Sequence, residues 1–248
     1  MDEKYLYNSI KRPWHSPIKI LNAGIKLYDI FGEAIDNRGE FQRVREGKAV
    51  AIMLLGFYLK DNQNSKNKQY MQYYDEGSSP DYVTMYPTEV PNKPIEGVFF
   101  EVEVVEFGKH SETDFVNFLT TKKLSALESK KGYDEKTHIL CDVSKTTLVP
   151  PAHQINEELK KINPKSKVLY VGRTSPDKPV YSLVSVWPEV GSQENIDLEA
   201  LSRTYPGPHN VRFKKSSKRF LDFERSNEPT INEFEIFGLD ESYLRKKY

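Results

Sequence analysis

The stretch Ala49-Val50-Ala51-Ile52-Met53-Leu54-Leu55 is apolar at every position. A helix carrying it has no polar face to offer water, so the pattern predicts a helix over 40–60 that is buried in its second half. The polar run Asp61 to Lys68 stops it. Strand-like pieces follow at 69–74, 81–86 and 97–105, separated by Glu76-Gly77-Ser78-Ser79-Pro80 and by a loop holding Pro87, Pro91 and Pro94. A helix is predicted over 113–129, with Phe115, Phe118, Leu119 and Leu124 on its buried side. Beyond it the chain alternates: a strand at 138–143, a helix at 152–162, and strands at 167–172 and 180–187. Upstream, 1–39 mixes Pro, Lys and aromatics without a sustained period and reads as an N-terminal arm with a helix over 18–30. Downstream, 188–248 loses the alternation and reads as a C-terminal extension. Strand–helix alternation over 40–187 predicts an α/β core, a mixed central sheet flanked by helices.

The chain has 248 residues, enough for a sizeable core, and its 36 basic and 36 acidic side chains cancel. A protein that only coats nucleic acid carries a basic excess, so positive charge here must be localised if it binds nucleic acid at all. One cysteine, Cys141, excludes an intramolecular disulfide and multi-cysteine zinc sites; mid-strand, it reads as a buried thiol. The histidines (His15, His110, His138, His153, His209) are scattered with no i, i+4 pair, which argues against a histidine-based zinc centre. No apolar run is long enough to span a membrane, and Met1-Asp2-Glu3-Lys4 does not open a signal peptide. The expectation is a soluble, cytoplasmic protein.

Candidate chemistry lies in the middle strands. In Phe100-Glu101-Val102-Glu103-Val104, alternation puts both glutamates on one face and Phe100, Val102 and Val104 on the other. Two carboxylates on one face repel each other unless a cation or solvent compensates. With Asp81 from a neighbouring strand they form a set of hard oxygen ligands of the kind Mg²⁺ takes. Otherwise Glu101 and Glu103 simply line a solvated strand face.

Pro80-Asp81 followed by Glu101-Val102-Glu103 resembles the signature of the PD-(D/E)XK nuclease superfamily: Pro-Asp opening one strand, then an acidic residue, any residue and a lysine on the next. The predicted order of helix, three strands, helix and strand also resembles that family's core, over roughly residues 40–175. The resemblance implies a restriction-endonuclease-like core and Mg²⁺-dependent hydrolysis of DNA phosphodiesters, plausible for restriction or defence. Asp81 and Glu101 would be metal ligands, and Glu46, ahead of Glu40, would be the helix carboxylate that joins them. In the helix pattern alone, Glu46 reads as a solvated residue of the polar first turns. The motif lysine is replaced by Glu103, which would take over the handling of the attacking water; Lys109 is a weaker substitute.

Each half of the motif also occurs elsewhere, as Pro176-Asp177 and as Glu233-Phe234-Glu235 in a strand-like setting, but only 80–103 joins both halves. Tyr170-Val171-Gly172 resembles half of a GIY-YIG motif, but its would-be partner near Gly97 lies too far off. Phosphate contacts would fall on the basic, aromatic-rich stretch holding Arg212, Lys214, Lys215, Lys218 and Arg219, interleaved with Phe213, Phe220 and Phe223. Lys122, Lys123, Lys130 and Lys131 could add to it. A hairpin with buried aromatics would look the same. A homodimer would suit cutting both strands of a duplex, though no residue argues for one. The rival function is a non-catalytic nucleic-acid-binding or assembly protein that has lost the motif lysine.

Overall fold

The computed structural model describes residues 12–61, 68–74, 80–88, 96–107, 115–119, 135–145, 151–175, 177–206, 210–217, 220–225 and 232–248. It divides into two compact units, residues 1–99 with 204–248, and residues 100–203. The sequence reading divides the chain differently, into an arm, a core and a C-terminal extension.

In the first unit, helix α1 (Pro17–Phe31) starts where Ser16 Oγ accepts the Lys19 amide at 3.2 Å, with Pro17 in the first turn. It ends at Gly32, whose φ of 56° is the left-handed conformation that favours glycine. A short α2 (Ala34–Asn37) and a 3₁₀ turn (Gly39–Phe41) lead into α3 (Gln42–Lys60). Every residue from Ala49 to Gly56 of α3 is buried, as the unbroken apolar run predicts, and α1 packs against it.

The strands of this unit are antiparallel. β1 (Trp14–His15) pairs with β2 (Tyr70–Tyr73), and β2 pairs with β3 (Tyr82–Thr88) in the register Met71↔Thr84. β1 also pairs with β9 (Asn210–Ser217), which pairs with β10 (Phe220–Arg225). Trp14, Tyr70, Tyr74, Val83, Met85 and Val211 form one cluster of the core.

Two short helices follow, α7 (Glu233–Ile236) and α8 (Glu241–Lys247). Glu233-Phe234-Glu235, strand-like in the sequence, is helical instead: Asn232 Oδ1 accepts the Phe234 amide at 3.0 Å and caps it, while Phe234 and Ile236 are buried. Phe234 sits edge-on to Phe31 of α1 at 5.9 Å, and Tyr248 packs against Phe31 and Phe41. The C-terminal residues are thus part of this unit's core.

The second unit holds a mixed sheet. β4 (Glu96–Glu106) enters it at Phe100 and pairs in parallel with β5 (Thr137–Asp142), which pairs in parallel with β6 (Lys167–Arg173). β7 (Val180–Trp187) and β8 (Glu194–Asp197) add on antiparallel. Thr137 to Cys141 is buried without a break, the pattern of a parallel strand covered on both faces. Parallel neighbours need a crossover, and α5 (Ala152–Ile162) supplies it between β5 and β6. Its Ile155 and Leu159 pack with Val105, Ile139, Cys141, Val168 and Val186. Asn156, buried in the same helix, donates Nδ2 to the Val186 carbonyl at 2.7 Å and the Pro188 carbonyl at 3.1 Å.

Of the helix predicted over 113–129, residues 115–119 are described: α4 (Phe115–Asn117) is followed by Phe118 and Leu119, and Phe115 and Leu119 are buried in this unit's core with Phe118 packed against them; the rest lies outside the described residues. α6 (Leu198–Thr204), β8, β9 and β10 fall in the stretch where the sequence pattern shows no alternation. Among the described residues no helix is long and apolar enough to cross a membrane.

Candidate functional site

Pro80 and Asp81 stand immediately before β3, and the next residue, Tyr82, is fully buried. The Tyr82 hydroxyl donates to the Arg43 carbonyl at 2.8 Å, tying the start of β3 to the first turn of α3. That tie brings the two elements to one cavity of about 530 Å³, within the size range of small-molecule sites. Its walls include Glu40, Gln42, Arg43 and Glu46 from the α3 end, Tyr73, Pro80 and Asp81 from the sheet, and Asp240 and Tyr243 from the C-terminal segment.

Glu46 is only 4% exposed, which corrects its reading as a solvated residue of a polar helix turn. It accepts the Gln42 side-chain amide at 2.6 Å, an i, i+4 pair along the helix. The helix pattern suggests solvation because Gln42, Arg43 and Arg45 surround it. The cavity it lines is also lined by residues from elsewhere in the chain. The Tyr82 phenol is held well above its ordinary range, chiefly by burial and further by the nearby charges of Glu46 and Asp81.

Lys247 pairs with Glu40, a residue of the cavity wall, and lowers its carboxyl, while Glu40 and Tyr243 raise the Lys247 ammonium. Arg43 lies over the Tyr73 ring at 4.1 Å and donates Nη1 to the Gly238 carbonyl at 2.9 Å.

Glu101 and Glu103 belong to the second unit. On β4 they alternate with Val102 and Val104 as the sequence predicts: the valines are buried and both glutamates are half-buried on the other face. Glu101 stands opposite Thr137 of β5 and accepts its hydroxyl at 3.2 Å; Glu103 stands opposite Ile139. Among the described residues no three His, Cys, Asp or Glu side chains gather as a group that could hold a metal ion. The pair at the cavity, Glu46 and Asp81, still has the donor chemistry of Mg²⁺, which takes one or two carboxylates and keeps several waters.

No family model, no curated protein and no solved structure matches this chain.

The basic stretch forms the hairpin β9–β10, with Arg212 in register with Glu224, Lys214 with Asp222 and Lys215 with Leu221. Lys218 and Arg219, like Lys109, His110, Lys122, Lys123, Lys130, Lys131 and His209, lie outside the described residues. Cys141 is a buried thiol on β5.

Two histidines carry a pH signature. Burial, the largest cause for each, lowers the pKa of His15 to about 4 against the hydrogen bond to Asn210 Oδ1. It lowers His138 to about 4 as well, helped by Lys167. An unfolded histidine titrates near 6.5, so between about 4 and 6.5 the unfolded chain binds more protons than the folded one. Stability is full above pH 6.5 and falls as the pH drops toward 4. Each histidine accounts for about 3 kcal/mol at the acid end. Urea midpoints at pH 7.5 and 4.5 read this out, and His15→Gln or His138→Gln should flatten part of the slope. Equal slopes in both variants and the wild type would count against this account.

Proposed function

We propose that the chain is a metal-dependent DNA endonuclease of PD-(D/E)XK type, with Asp81 and Glu46 as metal-holding carboxylates. The observation that carries this is the cavity shared by Pro80-Asp81 and a buried helix glutamate. The resemblance assigns a carboxylate to the first helix, and the helix pattern alone gives no reason to bury one there. The order α3, β2, β3, β4, α4, β5 is also that of the family core.

A bound Mg²⁺ would supply a more acidic water and neutralise charge developing on the phosphate. The protein's own part is to hold two oxygen donors in place: Tyr82 fixes the start of β3 against α3, and Gln42 orients the Glu46 carboxylate. The resemblance would make Glu101 a metal ligand and Glu103 the group that handles the attacking water; both belong to the second unit, where Glu101 accepts the Thr137 hydroxyl.

The test is cleavage of plasmid and genomic DNA with Mg²⁺ or Mn²⁺. Wild type should cut only with metal, and Asp81→Asn and Glu101→Ala should each lose cutting by about a hundredfold or more. A folded wild type that cuts neither DNA nor RNA, yet binds one of them, would favour the non-catalytic reading, for which Glu103 in the lysine's place is the specific argument.

A further inference from the structure

Glu46 is only 4% exposed, so whatever meets its carboxylate comes through the cavity of about 530 Å³ that it lines. A space of that size suits one small molecule or one nucleotide. In a duplex every base is paired and stacked, so a nucleotide reaches such a space only by being extruded. A single strand has no such cost. In the endonuclease reading the charge of the phosphodiester falls to the metal, and the base needs a partner of its own.

Three tyrosines stand among the described residues of the cavity wall. Tyr74 is buried, and the Arg43 guanidinium lies over the Tyr73 ring at 4.1 Å. Tyr243, on α8, lines the cavity and yet is 50% exposed, so its ring is open to an incoming ligand. Lys247, one turn further along α8, donates Nζ to the Tyr243 hydroxyl at 3.2 Å and also pairs with Glu40 of the same wall. Its ammonium stands over one face of the ring, 5.4 Å from the centroid, and the opposite face is the one for a base. A ring ordered before the ligand arrives removes an entropy cost from binding. Stacking suits any base, since every base has a π-face.

We propose that this cavity takes an unpaired nucleotide of single-stranded DNA, its base stacked on Tyr243 and its phosphodiester at Glu46 and Asp81. This rests on the endonuclease reading of the same cavity and adds a substrate class to it. Duplex DNA, plasmid included, is then cut only where a nucleotide leaves the stack.

The experiment uses the full chain and a labelled oligonucleotide, single-stranded or annealed to its complement, with urea midpoints as the folding control. With Mg²⁺, kcat/KM on the single strand should exceed that on the duplex by about a hundredfold. Binding is read separately, by fluorescence anisotropy without metal. Tyr243→Ala should weaken single-strand binding by about tenfold to a hundredfold, the range for one lost stacking contact. The slope of log Kd against log salt should stay as in the wild type, because no charge is removed. Tyr243→Leu, apolar but without a π-face, should match the alanine variant and replaces it should that one fail to fold. Tyr243→Phe keeps the ring and should bind far closer to wild type than to Tyr243→Leu.

A wild type that cuts duplex and single strand equally well, or folded Tyr243→Leu that binds as wild type does, would overturn the proposal and leave the endonuclease standing. Tighter binding of single-stranded RNA would overturn the choice of DNA. A wild type that binds single strands through Tyr243 without cutting them would remove the endonuclease reading and keep the stacking role. A folded wild type that neither cuts nor binds DNA or RNA would remove both.

Discussion

Gly47→Ala is expected to destabilise the first unit by about 2 kcal/mol, although alanine is the better helix former by about 1 kcal/mol. A methyl at Gly47 would stand 2.5 Å from the Tyr82 hydroxyl oxygen and 2.8 Å from Phe237 Cε1. Both neighbours are fully buried, so neither ring can swing into solvent to make room. The Tyr82 hydroxyl is also anchored on the Arg43 carbonyl. Overpacking costs about 1–3 kcal/mol and the weakened hydrogen bond about another 1 kcal/mol, which together exceed the gain in propensity. Urea unfolding measures the sum. The double variant Gly47→Ala with Tyr82→Phe removes the atom in closest contact and should recover part of the loss, an interaction that a double-mutant cycle isolates. A Gly47→Ala protein as stable as wild type would mean that α3 and β3 do not approach as described.

Glu46→Gln should divide activity from stability. The amide has nearly the shape of the carboxylate and can still pair with Gln42, but it is a poor ligand for a hard cation. Metal-dependent cleavage should fall by about a hundredfold or more, beyond the 10–100-fold seen when only an outer partner of a metal ligand is lost. The urea midpoint without metal should hold or rise, because a neutral group at a site only 4% exposed carries a smaller desolvation cost than an acid. Adding Mg²⁺ should raise the wild-type midpoint more than that of the variant. A variant that cuts at the wild-type rate would remove Glu46 from the site, and one that unfolds would make it a structural acid.

Local pattern was enough for much of the architecture. The apolar run in α3, the alternation of Glu101 and Glu103 with Val102 and Val104, and the helical spacing of Ile155 and Leu159 all appear in the structure as read. Helix and strand periods are properties of neighbouring residues, so a short window contains them. The Pro-Asp pair and the acidic strand were legible for the same reason, as residue types at a fixed spacing.

Other features depended on residues far apart in the chain. The cavity that Glu46 lines is also lined by Gly238, Asp240, Tyr243 and Leu244, and Arg43 reaches Gly238 across 195 residues. No window around Glu46 holds that information, which is why its surroundings read as a solvated helix turn. Glu233-Phe234-Glu235 is equally ambiguous in isolation; the Asn232 cap and the packing of Phe234 on α1 make it helical. β9 and β10 read as an irregular basic extension because short strands gain definition only from their partners, here each other and β1. Sequence thus set the elements and the chemical types at the candidate site. Tertiary packing decided which carboxylate is buried and which distant segments line one cavity with it, because burial is a property of the whole fold.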